Sequence, residues 1–143
     1  MQTSLSKVLA DLSKYYGLTA IYVFGSQAVE AASYIQGDAV SFLNPEIDVD
    51  IGIQPFSSKN LSAQDRVAIT QALEELFHVR RVDLVVLPEA SPFLALDIIK
   101  GELIYCDDPD RQAEDELYVL RRAGDLAYYE KNRRQQIING DTP

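Results

Sequence analysis

The sequence predicts an α/β fold: a small mixed β-sheet with flanking helices and a long C-terminal helical segment. Three observations predict it. Four short runs rich in β-branched and other apolar residues, at 19–24, 47–53, 81–87 and 102–106, alternate with stretches of helical spacing. Cap and turn residues stand at the junctions. At 143 residues, without internal repeats, the chain is sized for a single domain spanning 1–143 that buries roughly 70% of its unfolded surface.

The elements follow in order. Leu5, Val8, Leu9, Leu12 and Tyr16 recur at helical spacing and Gly17 can end the run, so the chain opens with an amphipathic helix. A strand over 19–24 leads to Gly25-Ser26 and then to the helix-favouring stretch QAVEAASYI. Residues 33–45, with their Gly37-Asp38 and Asn44-Pro45 pairs, read as a loop or hairpin. After the strand at 47–53 comes the loop QPFSSKN, and Ser62 with Asp65 forms a capping box for a helix to about Phe77. A third strand, 81–87, is followed by the helix start Ser91-Pro92, the stop Gly101 and a short strand, ELIYC. Residues 110–139 are helical in pattern. They form one long C-terminal helical segment in which Gly124 costs about 1 kcal/mol relative to Ala, a point that leaves room for a kink or a division into two helices.

The chemistry sits at the strand ends. In IDVDIGI, Asp48 and Asp50 interrupt an apolar run, and alternate spacing on a strand points both carboxylates to one face. Asp83 is a third lone acid, inside RVDLVVL. Crowded carboxylates are costly unless a cation offsets their repulsion. Oxygen-only ligation suits Mg²⁺ or Mn²⁺, which directs the site toward phosphoryl chemistry.

Gly25 and Ser26 lie at a strand-to-helix turn. Glycine lets the backbone approach a phosphate, a helix N-terminus presents free N–H groups, and the serine hydroxyl adds a donor. A tight turn with a helix cap is the plainer alternative for this pair. Together the two motifs read as the phosphate cradle and metal-binding carboxylates of a nucleotidyl-transferring enzyme.

Gly25, Ser26, Asp48, Asp50 and Asp83, with the downstream VDLVVLPEASPFLALDIIKGELIYCDD, resemble the minimal nucleotidyltransferase branch of the polymerase-beta superfamily. That pattern is a Gly-Ser turn, an Asp-x-Asp strand and a third Asp on the next strand. The resemblance implies the polymerase-beta-like fold and two Mg²⁺ ions, with Mn²⁺ as substitute. Asp48 and Asp50 would hold both ions and Asp83 the catalytic one, while Gly25 and Ser26 hold the ATP phosphates. It further implies an antitoxin that moves AMP from ATP onto a tyrosine of a cognate HEPN-type ribonuclease toxin, in a hetero-oligomer with that toxin. Here 21 residues separate Ser26 from Asp48, more than is usual in the family, and Gln27-Ala28-Val29-Glu30 stands where an Arg is frequent. Both departures suit an alternative, a binding module that inhibits its partner by contact alone. A small-molecule nucleotidyltransferase of the antibiotic-modifying kind shares the motif, but usually carries a further substrate domain.

A net charge of −9 disfavours direct nucleic-acid binding, which rests on Lys and Arg. No run is long and apolar enough to span a membrane, no leader pattern opens the chain, and Cys106 has no disulfide partner, so a cytoplasmic protein is expected. Seven acids and one Arg occupy 102–116, whereas Arg121, Arg122, Lys131, Arg133 and Arg134 outnumber Asp125 and Glu130 in the tail. That basic tail is a solvated helix face or a docking surface. His78 and Cys106 read as structural, and the Tyr15-Tyr16 and Tyr128-Tyr129 pairs as straddling core and surface.

Overall fold

A computed structural model describes residues 4–37, 46–56 and 60–139. Helix α1 spans Leu5–Tyr16; the Ser4 side chain accepts the Lys7 N–H at 3.1 Å to start it, and Gly17, at φ +70°, ends it. β1 (Leu18–Phe24) passes through a 3₁₀ turn, Gly25–Gln27, into α2 (Ala28–Ile35). Part of the expected loop at 33–45 is therefore helix, because Ala31, Tyr34 and Ile35 are buried and hold the turn against the core. Residues 38–45 lie outside the described residues.

β2 (Asp48–Pro55) is followed by α3 (Ala63–Phe77). The expected capping box is present: Ser62 Oγ accepts the Asp65 N–H at 3.0 Å and Asp65 Oδ2 accepts the Ser62 N–H at 3.2 Å. His78 then takes a left-handed conformation at φ 56° and closes the helix end, a structural role. β3 (Arg81–Val86) and a short 3₁₀ turn lead to α4 (Pro92–Ile99), capped by Ser91, and β4 (Glu102–Cys106).

The strands lie in the order β3-β2-β1-β4; β1 is antiparallel to both neighbours and β2 is parallel to β3, giving the mixed sheet the sequence predicts. Side-chain alternation splits the core between the two faces. Val23, Val49, Ile51 and Ile53 pack on one face with Leu9, Ile69 and Leu73 of the helices, whereas Ala20 and Tyr22 meet Ala95, Ile98 and Val119 on the other.

α5 (Pro109–Ile138) is one 30-residue helix. It is the long C-terminal helix the sequence predicts, and it runs through Gly124 without a break. This position is exposed and the turns on either side are built from good helix formers, so the local penalty does not interrupt the ladder. Its first half is anchored: Tyr22 Oη donates to Glu116 Oε2 at 2.8 Å, and Gln112 Nε2 donates to Tyr22 Oη at 3.2 Å. The only buried residues on α5 are Val119 and Ala123. Tyr128 and Tyr129 both face solvent rather than straddling core and surface, because the helix has outrun the sheet by that point; Tyr15 and Tyr16 do divide as expected. Among the described residues, no helix is long and apolar enough to cross a membrane.

Candidate active site

β1 ends where β2 begins. Phe24 is paired with Asp50 across the antiparallel ladder, so the turn that follows Phe24 is carried directly over the Asp50 side chain. Gly25 sits at φ +78°, and a Cβ placed there would stand 2.6 Å from Asp50 Oδ2. Only glycine meets both demands, a left-handed backbone and contact with a carboxylate. Ser26 is exposed beside it.

The acids are positioned by the core on the opposite face. Burial of Val49, Ile51 and Ile53 turns Asp48 and Asp50 together toward the α4 side, as their spacing predicts. In the parallel pair β2–β3, Asp50 and Asp83 occupy the same rung. Asp50 and Asp83 are partly buried and Asp48 is exposed at the rim. Burial pushes the Asp50 carboxyl above its ordinary value, and the charge of Asp83, a hydrogen bond with Asp83 and the charge of Asp48 push it further. Gly25, Ser26, Asp48, Asp50 and Asp83 thus gather at one end of the sheet.

One neighbour was not anticipated. Arg81 Nε donates to Asp83 Oδ1 at 2.9 Å, supplying a cation where none follows Gly25-Ser26. The signal was present in RVDLVVL, since Arg and Asp two apart on a strand share a face. Among the described residues, no three acidic, His or Cys side chains close on a single point. The donors nevertheless fit a hard divalent cation. Mg²⁺ commonly takes one or two protein carboxylates and completes its shell with water and phosphate, and the raised Asp50 carboxyl marks negative charge that a cation would relieve.

Two cavities lie along β2 and β3. A half-open one of about 330 Å³, lined by Pro55, Leu61, Leu87, Tyr118, Val119 and Arg122 among others, lies at the far end of these strands and touches none of the three acids. An open groove of about 950 Å³ runs along β3 and has Asp83 in its wall.

Comparison with known families matches residues 6–110 to Polymerase beta, Nucleotidyltransferase. The chain belongs to the polymerase beta nucleotidyltransferase family. Solved structures share the fold over nearly its whole length. A toxin–antitoxin complex with AMP-PNP is 24% identical, covers 94% of this chain and 96% of its own, and superposes with a TM-score of 0.58. The toxin–antitoxin pair MntA-HepT is 21% identical over 97% of each chain, with a TM-score of 0.57. The complex of tri-AMPylated Shewanella oneidensis HEPN toxin with MNT antitoxin is 22% identical over 98% of each chain, also at 0.57. No curated protein matches the chain significantly. For this nucleotidyltransferase, then, family and fold are shared with known proteins, and the long interval before Asp48 is accommodated without moving Asp50 off the Asp83 rung.

Proposed function

We propose that this chain is a metal-dependent nucleotidyltransferase that moves AMP from ATP to a tyrosine hydroxyl of a cognate HEPN-type toxin and so acts as its antitoxin, as one domain in a cytoplasmic setting. The observation that carries this reading is the contact of Gly25 with Asp50 on the rung shared with Asp83, a phosphate cradle set against a carboxylate pair. The fold likeness to a toxin–antitoxin complex with AMP-PNP, and to an MNT antitoxin in complex with a tri-AMPylated HEPN toxin, supports the choice of nucleotide and partner.

In this reading the Gly25 backbone and Ser26 Oγ hold the β and γ phosphates. Asp48, Asp50 and Asp83 would hold Mg²⁺ or Mn²⁺, which when bound supplies charge neutralisation at the α-phosphoryl group and the leaving pyrophosphate. Asp83, oriented by Arg81, accepts the proton of the attacking tyrosine hydroxyl. A new oxygen–phosphorus bond forms at the α-phosphorus, the bond to the β-phosphate oxygen breaks, and pyrophosphate leaves. The fold requires no further group from the chain.

The Asp83–Arg81 ion pair favours a second reading, a binding module whose third carboxylate is neutralised within the protein. Incubating the chain with α-labelled ATP, Mg²⁺ and its cognate HEPN-type toxin separates the two. Label on a tyrosine of that protein supports transfer; inhibition of its ribonuclease without label supports contact alone.

A further inference from the structure

Among the described residues, β3 stands at the edge of the sheet, with β2 on one side and no strand on the other. The Val82 N–H points outward, where Glu74 Oε2 of α3 accepts it at 3.0 Å. Backbone groups on a strand alternate sides, so the N–H and C=O of Leu84 point outward as well. Among the described residues no side chain reaches Leu84 as Glu74 reaches Val82. These groups open onto the groove of about 950 Å³, between a wall of Thr70, Gln71 and Glu74 and a wall of Ser91 and Leu94, with Asp83 on its floor.

We infer that this groove receives the acceptor polypeptide as an added strand on β3, paired at Leu84 and delivering its hydroxyl beside Asp83. The inference rests on the transfer reading above and specifies how the acceptor is held. Proteins ordinarily block an exposed edge, because it templates pairing with another chain. Here the Glu74 block stops at Val82, two residues before Leu84, and the donor and acceptor left open there are matched by extended backbone and not by a nucleotide. Position gives the second argument. A strand rises about 3.3 Å per residue, so a chain paired at Leu84 has its next residue level with Asp83. Glu74 occupies the Val82 N–H, so the added strand ends there and its next side chain is free to turn over the edge toward the acids. The half-buried apolar side chains of Leu84, Val85 and Leu94 suit an extended segment with alternating apolar residues around the acceptor hydroxyl.

Amide hydrogen exchange of the full chain, alone and with its cognate HEPN-type toxin, tests this, together with AMP transfer to that protein. The Leu84 amide should exchange at least about tenfold more slowly in the complex. Gln71→Trp, at an exposed wall position, should slow transfer about tenfold while Mg²⁺–ATP affinity stays at the wild-type value. Leu84→Pro, which removes the outward N–H, should do the same if it folds. Transfer with no slowing at Leu84, or at wild-type rate in Gln71→Trp, overturns the added strand and leaves the transfer reading standing. Slow Leu84 exchange in the chain alone, with dimer mass in solution, assigns the edge to a second copy and also overturns it. A partner neither bound nor labelled removes the transfer reading and this inference together.

Discussion

Asp50 and Asp83 share one rung of the β2–β3 ladder, and the Asp50 carboxyl is held above its ordinary value by burial and then by its neighbours' charge. A carboxyl raised on folding favours the folded state only while protonated. That contribution is lost as pH rises from the unfolded value through the folded one, so at neutral pH the charged Asp50 destabilises the metal-free protein. Asp50→Asn should therefore raise Tm in EDTA at pH 7, with the gain shrinking as pH falls into the carboxylate range. Transfer should fall by about 100-fold or more, on the scale of removing one preorganised electrostatic contact. Thermal melts at pH 4 and pH 7 check the sign; a lower Tm at pH 7 would mean the acids do not crowd one another.

Gly25 and Ser26 should separate in their effects. Gly25→Ala combines a left-handed residue, costing about 1–2 kcal/mol, with a methyl group 2.6 Å from Asp50 Oδ2, so both Tm and transfer should drop. Ser26→Ala removes one exposed hydroxyl and should leave Tm unchanged while weakening Mg²⁺–ATP binding about tenfold. Calorimetric titration and melting of the two variants side by side provide the check.

Arg81 competes with any cation for Asp83. The pair is solvent-exposed, so its loss in Arg81→Gln should cost less than about 1 kcal/mol of stability. Apparent Mg²⁺ affinity in the absence of nucleotide should rise, because the guanidinium no longer neutralises Asp83. Titrating Mg²⁺ against Tm in both proteins decides this, and an unchanged midpoint would show that Asp83 is not a ligand.

Charge on α5 should govern encounter with an acidic partner surface. Arg121, Arg133 and Arg134 are exposed, whereas Arg122 lies 5.6 Å over the Tyr118 ring and is best left in place. Reversing the three exposed residues to Glu should slow association at low salt, with the difference shrinking at physiological salt and Mg²⁺–ATP binding unaffected. Stopped-flow association at the two salt concentrations would return α5 to a solvated face if the rates agree.

Gly124 offers a stability test that avoids the site. A Cβ there meets nothing within 4 Å, and the residue is helical and exposed, so Gly124→Ala should add about 1 kcal/mol and raise Tm by roughly 3 °C. No gain would mean that α5 is not a continuous helix at this point in solution.

The periodicities that build the fold were legible because each is local: Leu5 to Tyr16 marks α1, Ser62 with Asp65 marks the start of α3, and the alternation around Asp48 and Asp50 sets their common face. Gathering Gly25, Asp50 and Asp83 at one end of the sheet was also within reach, since each lies at a strand terminus. The Tyr22–Glu116 hydrogen bond was not, because it joins residues far apart in the chain that no local pattern relates. The long C-terminal helix was legible in its pattern, and the one point left open, Gly124, is settled by the helix formers around it, which outweigh a local penalty of about 1 kcal/mol. The Arg81–Asp83 pair was visible in the sequence, since residues two apart on a strand share a face.

The order of strand ends has a consequence for how this protein can be altered. β1 ends at the acid end of the sheet and β2 begins there, with Phe24 paired to Asp50. The register of β2 is locked from inside, by Val49, Ile51 and Ile53, independently of the length of the connection from α2. The carboxylates therefore keep their rungs by the packing beneath them, and the length of chain between α2 and β2 is free to differ without moving Asp50 from Asp83.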